Sequence, residues 1–254
     1  MNKTINVFKL PVDAKGKVGV IAGSCAVVID VLRSTTTLAY GVFAGLRAII
    51  PVLRVEDALR FKEFGASNII LGGERGCERI EQFDVGNSPL DMIPEVVRNK
   101  TIVFTSTNGT LAMITAKTAK KLLLGSFVNV GELCRRLVGE DCVTLICSGT
   151  EGRVTSEDIL LAGLIVFKLK SVNDKVILDK TAEFCLTTWN QESQNRNLHT
   201  NLLISDGAKK LLQLGHYKDI EYAAKYDSID VVPEIEFGKI DYSILGEPAI
   251  TDYL

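Results

Sequence analysis

Six apolar runs, at about residues 26–31, 47–53, 68–72, 101–105, 121–124 and 142–147, alternate with amphipathic stretches at about 35–45, 55–64, 90–98, 109–119, 129–138 and 156–170. The runs are rich in Val, Ile and Leu and short enough for strands buried on both faces, while the stretches between them repeat apolar residues at the helical period. A parallel pair of strands needs a crossover, and a helix supplies it with right-handed sense. The alternation therefore predicts an α/β fold, with a mainly parallel sheet and helices on both faces. After Ser171 the strand signal fades: residues 175–194 and 198–214 read as helices and 217–226 as a shorter one. Residues 190–197 read as a hinge or a helix–helix connection, and Asp206-Gly207 as a local irregularity. Residues 231–254, with Pro233 and alternating Ile235, Phe237, Ile240, Tyr242 and Ile244, read as an edge hairpin. Residues 1–171 are then a main α/β core, and residues 172–254 a helix-rich C-terminal part packed on it as one unit.

A chain of 254 residues with 46% hydrophobic content can bury a large core without staples. A formal net charge of −2, with no basic stretch interleaved with aromatics, argues against nucleic acid as a partner. The first ten residues lack an apolar core and cleavage site, and the apolar runs are too short or interrupted to span a bilayer, so a soluble cytoplasmic protein without a membrane partner is expected. The six cysteines form no CxxC pair, and the two histidines, His199 and His216, have no metal-ligand spacing between them. Chemistry is left to carboxylates, hydroxyls, arginines or a thiol.

Ligands of parallel sheets bind beyond the carboxyl ends of the strands, and four of the expected strands end in polar turns. The first turn is Asp30-Val-Leu-Arg33-Ser-Thr-Thr-Thr37, an acid and an arginine before hydroxyls that suit a helix start able to hold an anion. The second is Gly72-Gly-Glu74-Arg75-Gly76, where glycines permit close approach and Glu74 with Arg75 offers a hard-metal ligand beside an anion receptor. It opens a long loop, residues 72–89, that also holds Asp84. The third, Thr105-Ser-Thr-Asn108-Gly109-Thr110, leads directly into a helix. The fourth is Cys147-Ser148-Gly149-Thr150-Glu-Gly-Arg153, followed by Glu157-Asp158 at a helix start. Asp158 reads equally as part of a cap or as a metal ligand.

Blander readings apply to each corner taken alone. A charged strand end with an ordinary helix cap accounts for Asp30 and Ser34 as well as a binding site does. Cysteine, five residues, then arginine is the spacing of cysteine phosphatases, which makes Cys147 and Arg153 a metal-independent alternative. Ile146 and Val154 stand where that motif carries a histidine and a hydroxyl residue. Glu56 and Asp57 read as solvated charges, Met92, Met113 and Trp189 as core, and both histidines as surface or satisfied core residues. A non-enzymatic binder of small phosphorylated or sulfonated anions is the second class of reading, but clustered acids would repel such a ligand unless a cation intervened.

Taken together, these blocks resemble the magnesium-dependent 2-phosphosulfolactate phosphatases associated with coenzyme M biosynthesis. The match is carried by Asp30-Val-Leu-Arg33-Ser-Thr-Thr-Thr37, by Gly72-Gly-Glu-Arg75 with Phe83-Asp84-Val-Gly-Asn87-Ser-Pro89, by Thr107-Asn-Gly-Thr110, and by Ser148-Gly-Thr150 with Glu157-Asp158 and Ala162-Gly163. Departures are Ser34 for a common alanine, Ser106 for threonine, and Gln82 for a glycine. The resemblance implies a three-layer α/β/α fold, a homo-oligomer and hydrolysis of a small anionic phosphoester. On that reading Asp30, Glu74, Asp84 and Asp158 are candidates to hold Mg2+, with Asp30, Arg33 and Glu74 at the chemistry. Ser34, Thr35, Thr36, Arg75, Asn108, Gly109, Thr110, Ser148, Gly149, Thr150 and Arg153 are candidates to hold the substrate. Leu32 stands where aspartyl phosphatases place a second Asp, so attack by water is favoured over a phospho-aspartate.

Overall fold

The structure, a computed structural model, describes residues 3–64, 68–246 and Tyr253. In chain order its elements begin with β1 (Thr4–Phe8), α1 (Val18–Ala22), β2 (Cys25–Ile29), α2 (Ser34–Phe43), β3 (Ala48–Pro51), α3 (Val55–Phe64), β4 (Ile69–Arg75), β5 (Glu78–Arg79), α4 (Pro94–Val97), β6 (Thr101–Thr105) and α5 (Gly109–Thr115). They continue with β7 (Lys121–Gly125), α6 (Val130–Leu137), β8 (Cys142–Cys147), α7 (Ser156–Val172), β9 (Ile177–Leu178), α8 (Lys180–Asn195), α9 (Leu198–Leu203), α10 (Asp206–Gln213) and α11 (Tyr217–Ala223).

Five strands form an all-parallel sheet in the order β7-β2-β8-β1-β9, flanked by helices as an α/β/α fold requires. The other runs build a second sheet, β3-β6-β4-β5, parallel except where β5 turns back on β4. Successive side chains of a strand face opposite ways, and the cores follow that rule. β2 sends Val27 and Ile29 into one cluster with Leu133, Leu161 and Cys185 from α6, α7 and α8. Ala26 and Val28 enter another with Leu38 of α2, Met113 of α5, and Ile102 and Phe104 of β6, so this cluster joins the two sheets. The opposite face of β6 buries Val103 with Leu71, Phe61 and the tail residues Tyr242 and Tyr253. Each such aliphatic side chain removed from water stabilises the fold by about 1.5–3 kcal/mol.

Several elements differ from expectation for local reasons. β1 is a strand the periodicity misses, because within five residues it alternates half-buried Thr4, Asn6 and Phe8 with buried Ile5 and Val7. The helix expected over 90–98 is a 3-10 turn, Pro89–Asp91, followed by α4, since Pro94 starts a new helix rather than continuing one. Asp179 caps α8 by accepting the Ala182 N–H, which leaves Ile177 and Leu178 free to pair with β1. The irregularity near Asp206 is a complete break, with Ser205 accepting the Ala208 N–H at the start of α10. The tail is not a hairpin among the described residues. It lies antiparallel on the edge strand β7, through Leu124 N to Pro233 O and Ile235 N to Leu122 O, each 2.9 Å. Residues 247–252 and 254, where that expectation continues, lie outside the described residues. Asp57 is buried rather than solvated, and accepts the Tyr253 hydroxyl at 2.5 Å.

The helix-rich C-terminal part shares the core of the first sheet: Ala182, Leu202, Leu211, Ile220 and Ala223 are buried in one cluster with Ile5 and Val27. This packing carries α10 and α11 to the carboxyl ends of β2 and β8. No described helix is long and apolar enough to cross a membrane.

Candidate active site

β2 ends at Ile29, in register with Gly125 of β7 and Cys147 of β8, so Asp30 emerges where three strands finish. The chain then turns tightly into α2. Thr35 N–H donates to Asp30 O at 3.0 Å, while the Thr35 hydroxyl donates to Gly125 O at 2.7 Å and accepts Asp30 N–H at 3.1 Å. Thr36 Oγ1 donates to Val31 O at 2.8 Å and Thr37 Oγ1 to Asn87 O at 2.9 Å. The hydroxyl run satisfies buried backbone groups and fixes the turn. Helix α2 starts at Ser34 with Arg33 in the cap position and no side-chain cap.

Glu74 projects from the end of β4 in the second sheet. Its Oε1 accepts Thr107 N–H at 2.6 Å and its Oε2 accepts Cys77 N–H at 2.7 Å, which fixes the carboxylate. β4 approaches β6 closely at Gly73, whose φ of +144° is open to glycine and where a Cβ would lie 1.9 Å from Thr105 O. Glycine is needed again at Gly109, where a Cβ would lie 2.4 Å from Asp30 Oδ2 and 2.7 Å from Ser34 Cβ. The start of α5 is thereby set against Asp30. Asn108 Oδ1 accepts the Glu151 N–H at 2.9 Å and ties this start to the turn after β8.

Two carboxyls, Asp158 and Glu157, are buried behind this corner. Asp158 accepts Val31 N–H at 3.0 Å, Gly149 N–H at 3.1 Å and the Ser148 hydroxyl at 3.2 Å. Glu157 beside it meets α10 at Gly207, where a Cβ would lie 2.1 Å from Oε1, and its Oε2 has no partner among the described residues. Burial, reinforced by Asp158 and Glu74, pushes Asp30 up to about 7, against hydrogen bonds from Ser34. Burial and then Glu157 push Asp158 up to about 7, and burial with a smaller effect of Asp30 does the same for Glu157.

Arg33 brings positive charge to the corner; its Nη1 donates to Asp219 Oδ2 at 2.5 Å and its Nη2 to Cys77 O at 2.6 Å. Asp219, on α11, accepts the Ser88 hydroxyl at 2.6 Å through its other oxygen. These groups surround an open cleft of about 610 Å³, counting its mouth, lined among others by Asp30, Arg33, Ser34, Glu74, Asn108 and Thr150.

A family model described as 2-phosphosulpholactate phosphatase matches residues 13–238. The chain belongs to this family. A probable 2-phosphosulfolactate phosphatase of Caldanaerobacter subterraneus subsp. tengcongensis is 38% identical over 216 residues, 84% of this chain and 88% of the relative. Similarly named proteins of Clostridium novyi and Thermotoga petrophila are 35% and 36% identical over 224 and 213 residues, covering 87% and 84% of this chain and 92% and 89% of their own lengths.

In this phosphosulfolactate phosphatase family member, several residues expected at the site face elsewhere. Asp84 accepts Lys62 Nζ at 2.7 Å and Leu71 N–H at 2.8 Å and does not line the cleft. Burial pushes its carboxyl up, but the Leu71 N–H and the Lys62 ammonium outweigh that and hold it below the usual range. Arg75 turns back to Leu53 O and Thr105 Oγ1, both at 2.9 Å, and so braces the strand ends. Thr35 and Thr36 face backbone carbonyls, and Thr110 closes the turn before α5 by donating to Ser106 O at 2.9 Å. Ser148, Gly149 and Asp158 form the layer behind the cleft, with the first two donating to the third. Gly109 acts through its missing side chain. Arg153 is exposed, and its backbone closes the 150–153 turn with Thr150. Cys147 is fully buried in the core, where burial and then Asp158 raise its thiol well above the ordinary value, so the cysteine-phosphatase alternative lacks both thiolate and arginine.

The cleft is also lined by Gly76, Cys77, Asn87, Thr107 and Glu151, from the loops that follow the strands, and by Asp206, Gly207 and Lys210 of α10. Asn87 reaches Ser34 Oγ at 3.4 Å, and its Oδ1 is buried without a partner among the described residues. The Phe-Asp-Val-Gly-Asn-Ser-Pro block already pointed at Asn87 and Ser88. The α10 residues carried no such signal.

Proposed function

We propose that this chain hydrolyses 2-phosphosulfolactate to sulfolactate and inorganic phosphate with magnesium bound beside Asp30 and Glu74. The substrate comes from the names of its relatives. The observation that supports the chemistry is the meeting of Asp30, Glu74 and Arg33, from the ends of two different sheets, on one cleft.

The donor set fits a magnesium ion. Among the described residues no three or more His, Cys, Asp or Glu side chains form a ready-made metal cage. Magnesium needs none: it is held by one or two carboxylates, with water and substrate oxygens completing its shell. Asp30 and Glu74 are hard oxygen donors on the cleft wall, and the orphaned Glu157 Oε2 and raised Asp30 mark a region short of positive charge. The bound ion would neutralise phosphate oxygens.

The chain's own groups would orient the reaction. Arg33, fixed by Asp219 and Cys77 O, offers its remaining N–H groups to the phosphate, joined by Ser34, Asn108 and Thr150. Water attacks phosphorus, the bond to the sulfolactate oxygen breaks, and a proton of the water passes to that oxygen. Asp30, a carboxylate on the cleft wall, would stand where it can take this proton from the attacking water. Leu32 lies in the cleft wall where a second acid would serve a phospho-aspartate route. Homo-oligomeric assembly and cytoplasmic residence accompany this reading.

The test is phosphate release from racemic 2-phosphosulfolactate by the purified protein, with magnesium and with excess chelator. Fast, chelator-sensitive release is expected. No release from this or other phosphoesters would leave an anion-binding protein as the reading.

A further inference from the structure

We propose that Lys210 is the specificity-determining residue that receives the acidic group of the leaving alcohol, the sulfonate or carboxylate beyond the phosphoester. The inference rests on the phosphatase reading for its substrate and on the cleft for its residue. Two cationic side chains line the cleft, Arg33 and Lys210. Arg33 is anchored to Asp219 at 2.5 Å and to Cys77 O at 2.6 Å, so part of its charge is already offset before any ligand arrives. Lys210 has no ion pair or hydrogen bond among the described residues, while its neighbours Lys209 and Asp206 pair with each other at 2.6 Å. A ligand with one phosphate and two further acids brings more negative charge than Arg33 and an ion at Asp30 and Glu74 can offset. Lys210 is the remaining counter-charge.

Its position is built into the fold. Helix α10 meets the core at Gly207, where a Cβ would lie 2.1 Å from Glu157 Oε1 and 3.4 Å from Leu32 Cβ, so a larger residue would push the helix off. One turn later Lys210 extends its ammonium over Gly76, 3.8 Å from where a Cβ would stand. Arg33 reaches the same turn from the opposite partner, through Cys77 O. The phosphate end and the acid end of the ligand would therefore meet different cations on either side of the Gly76-Cys77 turn. A flexible ammonium suits a sulfonate or carboxylate as a point charge, without the planar fork that Arg33 provides.

The decisive measurement is calorimetric binding of sulfolactate and, separately, of inorganic phosphate to the magnesium-loaded protein and to Lys210→Gln and Lys210→Arg. Lys210→Gln should weaken sulfolactate at least tenfold and phosphate less than twofold, and Lys210→Arg should restore most of the loss. Lactate, which lacks the sulfonate, separates the two acids: a loss confined to sulfolactate assigns the sulfonate and a loss shared with lactate the carboxylate, and both uphold the proposal. Unchanged sulfolactate binding, equal weakening of phosphate, or no sulfolactate binding by the wild-type protein would overturn it. Failure of the wild-type protein to release phosphate from 2-phosphosulfolactate would instead overturn the phosphatase reading, and the binding comparison would still decide Lys210.

Discussion

Arg33 Nη1 and Asp219 Oδ2 lie 2.5 Å apart as a buried ion pair, their side chains 4% and 1% exposed. The pair joins the turn after β2 to α11, so one interaction links the phosphate corner to the C-terminal helices. Removing one partner of such a pair leaves an uncompensated charge in the interior, which costs about 3–5 kcal/mol. Asp219→Ala should lose that much in urea denaturation and lower turnover at least tenfold, because Arg33 loses its anchor. Asp219→Asn keeps one acceptor oxygen for Arg33 and can donate its amide N–H to the Ser88 hydroxyl oxygen, so it should lose less on both counts. Equal stability of Asp219→Ala and wild type would show the pair to be dispensable.

Asp30→Asn separates chemistry from folding. The asparagine keeps the shape beside Ser34 but cannot carry the proton or hold the cation as a charged ligand. Turnover should drop to about 1% of wild type or less, a loss of roughly 3 kcal/mol of transition-state stabilisation. Stability should not fall, because the substitution removes one of three mutually repelling buried carboxyls. A folded Asp30→Asn with near-normal turnover would remove Asp30 from the reaction.

Much of the fold is legible because burial leaves a periodic trace. Val27 and Ile29 face one core and Ala26 and Val28 another, so the strand shows as an unbroken apolar run. Asp30 and Glu74 stand out because an acid directly after such a run has few structural reasons to be there. The hydroxyls do not reveal which way they point: Thr35 and Thr36 look like anion ligands, yet they serve carbonyls of their own turn. Which strands pair is equally hidden, since β3, β4 and β6 share their pattern with the first sheet. Lys210, Gly207 and Asp219 sit on helices whose local pattern says only that one face is buried. The place of Gly207 and Lys210 at the cleft, and of Asp219 behind Arg33, is a consequence of how the C-terminal helices pack on the core of the first sheet.

Cys147→Ala should leave turnover within about threefold of wild type. The thiol lies in the core, far above its ordinary protonation range because of burial, and a small buried truncation costs roughly 1–2 kcal/mol. Thermal unfolding should register that cost while phosphate release does not. Loss of turnover in a folded variant would reopen the thiolate route.

Gly109→Ala tests the close approach of α5 to Asp30. A methyl 2.4 Å from Oδ2 must displace either the carboxylate or the helix start. Overpacking of this kind costs about 1–3 kcal/mol, and the displaced carboxylate should reduce turnover at least tenfold. Kinetics at matched folded fraction would check it, and a variant with unchanged turnover would show that Asp30 tolerates the shift.

The buried carboxyls also predict an unusual pH dependence for the metal-free protein. Asp30, Asp158 and Glu157 are each raised to about 7 by burial, whereas in the unfolded chain they ionise near 4. Between pH 5 and 8 the folded state therefore holds more protons than the unfolded state, and stability falls as pH rises through about 7. Between pH 5.5 and 8.5 a single such group would contribute about 2 kcal/mol, and mutual coupling makes the three together less than additive. At roughly 2 °C per kcal/mol for a chain of this size, the melting temperature should drop by about 6–10 °C from pH 5.5 to pH 8.5. Glu157→Gln should flatten the profile. Magnesium should flatten it as well, because a cation beside Asp30 favours the ionised form that high pH produces. Differential scanning calorimetry with chelator and with magnesium measures both effects, and a metal-free melting temperature that rises over this interval would mean that the three carboxyls are solvated in the folded protein.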